Sequence, residues 1–155
     1  MDTSTLIIGV AVALMCVMPF VLASTMQKRR EKKLVGALDG MAGSVNAQYS
    51  NFEILRNFAI SIDEQGSYVF FARLAKGLDQ KCINLNEVKQ CSVVENFHNS
   101  DSVADTMGLR FLLADGKQGE FLEFFNSDIE ATSEGISQLL GKWNLAINAK
   151  LASRK

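Results

Sequence analysis

The sequence predicts an α+β protein held in a membrane. An N-terminal transmembrane helix leads into a small antiparallel β-barrel or sheet, capped by a C-terminal amphipathic helix. Three observations carry this expectation. Residues 5–25 contain no charge and are followed closely by Lys28-Arg29-Arg30-Glu31-Lys32-Lys33. From Phe52 the apolar residues change from helical spacing to alternation. After Ser127 helical spacing returns.

The first stretch is read as a membrane span. A helix rises about 1.5 Å per residue, so the uncharged run reaches roughly 30 Å, one bilayer core. A helix satisfies its own backbone hydrogen bonds in lipid, and Pro19 is tolerated there. A cleaved signal peptide needs a basic N-terminal flank and a shorter apolar core. Here the first four residues carry Asp2, and the basic cluster lies on the far side. Lys and Arg beside a span stay cytoplasmic. The expectation is therefore an external N-terminus (residues 1–4), a span over 5–25 and a cytosolic remainder at the inner membrane. Lys28, Arg29, Arg30, Lys32 and Lys33 are expected at the membrane surface, where a basic cluster attracts anionic lipid headgroups.

Composition bounds the rest. Of 155 residues, 48% are apolar and ten are Phe, enough for one domain with a core. Residues 34–155 hold 11 basic and 15 acidic residues, a net of −4, which argues against a nucleic-acid partner. Cys82 and Cys91 fit unpaired thiols in a reducing compartment, and Cys16 lies in the span.

Residues 26–51 are expected to form a juxtamembrane helix. Leu34, Leu38, Met41, Val45, Tyr49 and Phe52 follow steps of three and four. Gly36, Gly40 and Gly43 weaken that helix, so it needs a surface to cover. The surface is its own domain, a second copy or a protein partner. In the last two cases Leu34, Leu38, Met41 and Val45 are the contact residues.

The even positions from Phe52 to Ile62 are apolar except Arg56, which reads as one strand. Asp63-Glu64-Gln65-Gly66 is a turn, and Tyr68 to Ala72 its hairpin partner. Residues 74–81 are expected as a loop, Cys82 to Leu85 as a short strand and Val88 to Phe97 as another. In the latter, Cys91 and Val93 share one face, with Val88, Gln90 and Val94 opposite. The polar stretch 96–105 reads as a mobile connection and a second candidate contact surface. Met107, Leu109, Phe111 and Leu113 alternate, Asp115-Gly116 is a hairpin turn, and residues 120–125 return. Ser127-x-x-Glu130 has capping-box spacing and is expected to open a helix to Ala149. Its stripe is Ile129, Ile136, Leu139, Leu140, Trp143 and Ile147. Residues 152–155 are a tail.

Strand hairpins closing on one C-terminal helix, with Trp143 inside it, resemble the pleckstrin-homology-like fold over residues 52–151. More particularly the chain is similar to small membrane-anchored bacterial proteins of that fold. The resemblance implies protein–protein interaction or oligomerisation. The family's phosphoinositide binding uses basic residues around the first hairpin, and here Asp63-Glu64-Gln65-Gly66 stands there, with Arg73 and Lys76 nearby. That turn repels phosphates.

Chemistry is sparse. His98, Ser100 and Asp101 sit in one polar loop, which fixes no triad geometry. Cys82, Cys91 and His98 lack a knuckle spacing and a fourth ligand for zinc. Glu120 and Glu123 point to opposite strand faces. No Gly-rich phosphate loop appears. The expectation is a non-enzyme without catalytic, cofactor or metal residues, acting as a single-pass interaction or scaffold module. The alternative is a tethered sensory domain binding a small ligand or lipid, which predicts an apolar pocket.

Overall fold

The protein is described by a computed structural model over residues 2–97 and 104–154. An uninterrupted helix, α1 (Thr3–Ser44), opens the chain, with Pro19 inside it. At about 1.5 Å per residue it is roughly 60 Å long. Its first part is exposed on every side and is apolar and long enough to cross a membrane. Its last part presents Leu34, Ala37, Leu38, Met41 and Ala42, all buried. The helix thus ends at Ser44, short of the expected boundary at 51.

Two antiparallel sheets follow. The first is β1 (Asn51–Leu55), β2 (Phe58–Ile62), β3 (Tyr68–Leu74) and β4 (Leu78–Asn84), in that order across the sheet. A short 3₁₀ turn, Leu85–Glu87, leads to the second. That sheet is β5 (Val88–Asn96), β6 (Thr106–Leu113) and β7 (Gln118–Asn126). The chain closes on α2 (Ile136–Ala152). The α+β layout is the one expected, but the strands form two sheets of four and three rather than a closed barrel.

β2 and β3 are buried on both faces. On one side Ala59, Phe70 and Ala72 receive the apolar stripe of α1. On the other, Phe58, Ile60, Val69 and Phe71 face the second sheet and α2. Rings fill the space between the sheets, with Phe58 and Phe124 centroids 4.7 Å apart and Phe71 and Phe124 5.1 Å apart. Trp143 joins this core from α2 and donates its Nε1–H to Glu53 Oε2 at 2.6 Å. An indole buried with its donor satisfied costs no stranded polar group.

Several local expectations are corrected. The alternating run from Phe52 is a hairpin, not one strand. Leu55 pairs with Phe58 across the turn Arg56-Asn57, and Arg56 adopts a φ of 52°. A two-residue loop preserves the parity of alternation, so the pattern runs through it unbroken. The expected loop over 74–81 holds most of β4, whose outer positions are polar because the strand is an edge. In β5 the register shifts between Val88 and Gln90. That bulge puts Val88 and Cys91 on the buried side together, whereas alternation separated them. Asn148 of α2 completes the edge there. It accepts from Cys91 N–H at 3.0 Å and donates to the Cys91 carbonyl at 2.9 Å.

The expected capping box does not start α2. Asn126 takes that role locally, its carbonyl accepting from Ile129 and Glu130 N–H, each at 3.0 Å. α2 begins nine residues beyond Ser127, after Gly135 at a φ of 79°, a conformation that favours glycine. Ile129 therefore leaves the expected stripe and is exposed, while Ile136, Leu140, Trp143, Ile147 and Leu151 are buried. The turns at Asp63-Gly66 and Asp115-Gly116 stand as expected. Asp63 accepts from Gln65 and Ser67 N–H, Asp115 from Lys117 N–H, and both glycines have positive φ.

Candidate functional site

The basic cluster emerges from the span as exposed helix. Lys28, Arg29, Arg30, Lys32 and Lys33 all lie on the surface of α1. Helical rotation distributes them around the axis. Arg30 faces a cleft of about 810 Å³ on one side, and Lys33 faces a second of about 680 Å³ beside the β3–β4 turn.

Leu34, Leu38 and Met41 are not available to a partner. They are buried against β2 and β3 in one cluster with Ala59, Phe70 and Ala72, and Val45 is half-buried beside them. Of the covers that the stripe requires, the domain itself supplies it. Tyr49 clips the arrangement by donating its hydroxyl to Asp39 Oδ1 at 2.6 Å. Its pKa is pushed up to about 12, first by burial and then by the Asp39 carboxylate. The second expected surface, 96–105, falls largely on residues 98–103, outside the described residues, as do His98, Ser100 and Asp101.

The larger cleft lies where α1 passes the β1–β2 turn. One wall is a single stripe of α1: Ala23, Met26, Gln27, Arg30 and Glu31, at steps of three and four. The other is built by Leu55, Arg56 and Asn57 with Ile129, Glu130 and Thr132. Arg56 donates to the Thr132 carbonyl and ties the two segments of that wall together.

Behind this wall lies a charged cluster that no local pattern announced. Arg73 faces the interior from β3 and pairs with Glu123 of β7. Its Nη2 is 3.7 Å from Glu130 Oε1, and the Arg73 and Glu130 side chains are only 4% and 6% exposed. Asn57 donates to Glu130 at 3.4 Å and Asn126 to Glu123 at 3.3 Å. Arg73 Nε and Nη2 and Glu130 Oε2 have no hydrogen-bond partner. Glu130, expected to cap a helix, is instead the acid that answers a buried arginine. Removing one member of a buried pair strands the other, so the cluster fixes the segment 126–132 against the sheets.

Cys91 is a core thiol, with its pKa pushed up to about 12 by burial. Cys82 is exposed on β4, and burial of part of its surroundings raises its pKa as well. All three cysteines are free. Among the described residues, no three His, Cys, Asp or Glu side chains gather as metal ligands.

No family model, curated protein or solved structure matches this chain.

The site's chemistry therefore rests on its own residues. The cleft brings the Arg30 and Arg56 guanidinium groups beside Glu31, with Glu130 turned to Arg73 behind its wall. Sequence reasoning located Arg30 through the basic run. It gave Arg56, Arg73, Glu123 and Glu130 other roles and missed their association, because that joins segments 50 to 76 residues apart.

Proposed function

We propose that the protein is a single-pass, non-enzymatic interaction module. It presents a small cytosolic β domain at a fixed attitude to the inner membrane, with its short N-terminus outside. The observation that carries this reading is the continuity of α1. The same helix supplies the exposed apolar span and the fully buried Leu34 and Leu38 of the domain. A tether of this kind raises the effective concentration of weak contacts in the membrane plane. The five basic residues just past the span support the cytosolic orientation. The resemblance to pleckstrin-homology-like domains belongs with this proposal. The strand complement of four plus three with a C-terminal helix is compatible with it.

The ring-filled interior favours this reading over a sensory domain holding a ligand between its sheets. Phe58, Phe71, Phe124 and Trp143 occupy the space such a ligand needs.

The test is topology, followed by cross-linking. A reporter fused after Lys155 is expected to be active only on the cytosolic side. Cys82 is expected to label only after cells are permeabilised. Photocross-linkers on exposed faces of the β domain, β4 and the outer side of α2, are then expected to capture a partner or a second copy. An external reporter overturns the orientation. A domain that stays monomeric and cross-links to nothing overturns the interaction role.

A further inference from the structure

The cleft beside α1 has a position and a charge pattern that together specify an occupant. This inference rests on the reading of residues 5–25 as a membrane span. Ala23 lies near the end of the uncharged stretch and Arg30 lies seven residues further on. Along a helix that is a rise of about 10 Å. The headgroup layer on each side of a bilayer is about 5–8 Å thick, from the difference between total and hydrocarbon thickness. One wall of the cleft therefore runs through the headgroup layer, from the level of the acyl chains to that of the phosphates and beyond.

The lining changes character along the same axis. Ala23 and Met26 are apolar, and Ile129 on the opposite wall is 39% exposed, an apolar group left facing outward. Further along the helix wall stand Gln27, Arg30 and Glu31, while Arg56, Asn57 and Glu130 line the opposite wall. Arg30 has no carboxylate partner among the described residues, and Glu31 accepts only from Gln27, at 3.1 Å. Arg56 is held to the Thr132 carbonyl, which leaves its charge uncancelled.

We infer that this cleft seats the headgroup of a phosphoethanolamine lipid. Glu130 is turned to the buried Arg73, so the cleft's open charges are the Arg30 and Arg56 guanidinium groups and the Glu31 carboxylate, places for both ends of a zwitterion. The phosphodiester takes Arg30 and Arg56, since guanidinium pairs well with phosphate oxygens. The ammonium takes Glu31. The acyl chains follow Ala23, Met26 and Ile129 into the bilayer. A choline headgroup carries no N–H to donate to that carboxylate. A purely anionic headgroup leaves the Glu31 carboxylate facing like charge. The other members of the basic cluster, Lys28, Arg29, Lys32 and Lys33, do not line the cleft.

The test uses the full chain in lipid nanodiscs. Discs contain phosphatidylcholine and phosphatidylglycerol, with or without phosphatidylethanolamine of the same acyl chains. After gentle detergent extraction, native mass spectrometry counts the lipid retained. One phosphatidylethanolamine per chain is expected, at about tenfold higher occupancy than phosphatidylcholine, the equivalent of roughly 1.4 kcal/mol. Arg30→Gln and Glu31→Gln are each expected to lower that retention about tenfold, again roughly 1.4 kcal/mol. Lys28→Gln, which removes the same charge from another face of the helix, is expected to leave it unchanged. Lys28 and Arg30 are exposed helix positions and Glu31 is half-buried, and circular dichroism checks that the fold survives. Equal retention of choline and ethanolamine lipids overturns the inference. So does preferential retention of phosphatidylglycerol, or an equal loss in Arg30→Gln and Lys28→Gln. A chain that enters neither disc overturns the anchor reading itself, and the headgroup inference with it.

Discussion

The two halves of α1 share one backbone and one set of hydrogen bonds, yet they meet different surroundings. From Leu6 to Met26 the large apolar side chains point in every direction, and each is more than half exposed in the isolated chain. From Leu34 to Ala42 only one stripe is apolar, and it is buried against β2 and β3. An apolar surface all round suits lipid, which takes every side of a helix alike. A single stripe suits a sheet, which takes one. The contrast teaches that the position of the boundary is written in the width of the apolar surface, since the helix itself does not break there.

The largest test of this contrast is truncation in the docked half. Leu38→Ala is expected to destabilise the domain by about 2–5 kcal/mol, as for other fully buried leucines. Thermal unfolding of detergent-solubilised protein measures it, with membrane retention unchanged. Next comes a charge in the lipid half. Val12→Arg is expected to oppose insertion by about 2.5–3.5 kcal/mol near the middle of the span. Carbonate extraction should release a larger fraction of the protein, while the domain melts at its original temperature. If either substitution moved both readouts together, the two halves would not be separable.

The pH dependence sharpens the comparison at the join. The Tyr49 hydroxyl is neutral in the fold and its pKa is raised from 10.0 to about 12. A group whose folded pKa exceeds the unfolded one stabilises fully below the unfolded value. That contribution is lost as pH rises through the folded value. Docking of α1 is therefore expected to weaken between pH 10 and 12 through this group, and Tyr49→Phe to reduce the loss. Denaturant titrations at stepped pH measure it. The span holds no group that titrates in the same way against Asp39, so insertion is expected to stay level.

The smallest expected effects concern glycines. A Cβ at Gly36 or Gly40 meets no heavy atom within 4 Å. Gly36→Ala and Gly40→Ala are each expected to stabilise the docked half by about 0.4–1 kcal/mol. A loss of stability at either would mean that a neighbour approaches that face of the helix in the membrane-bound protein.

How far the sequence carried these conclusions varied with the range of the interactions. The long apolar helix, the docked stripe and the Asp-Gly turn were legible because each is decided by residues within a few positions. The β1–β2 hairpin was not, because Arg56 carries no turn signature and a two-residue loop leaves alternation intact. The first four residues of β4 were read as a loop because Asp79, Gln80 and Lys81 sit on an exposed edge, where polarity conceals a strand. The start of α2 was misplaced because Glu130 satisfied a local motif while its carboxylate was needed by Arg73. The cleft was invisible for a related reason. Its helix wall lay in plain view at Arg30, but its second wall depends on long-range pairing between β1–β2 and the segment after β7.

In the membrane-anchored protein proposed above, the unbroken passage of α1 from its apolar half into the sheet has a mechanical consequence. A flexible linker lets a domain tumble above a membrane, so an encounter must find both position and attitude. A rod embedded at both ends transmits tilt and rotation. The β domain moves as the head of a lever whose pivot lies in the bilayer, and its remaining free rotation is about the membrane normal. Local bilayer thickness sets the tilt of a span, and here that tilt becomes the angle at which β4 and α2 face their surroundings.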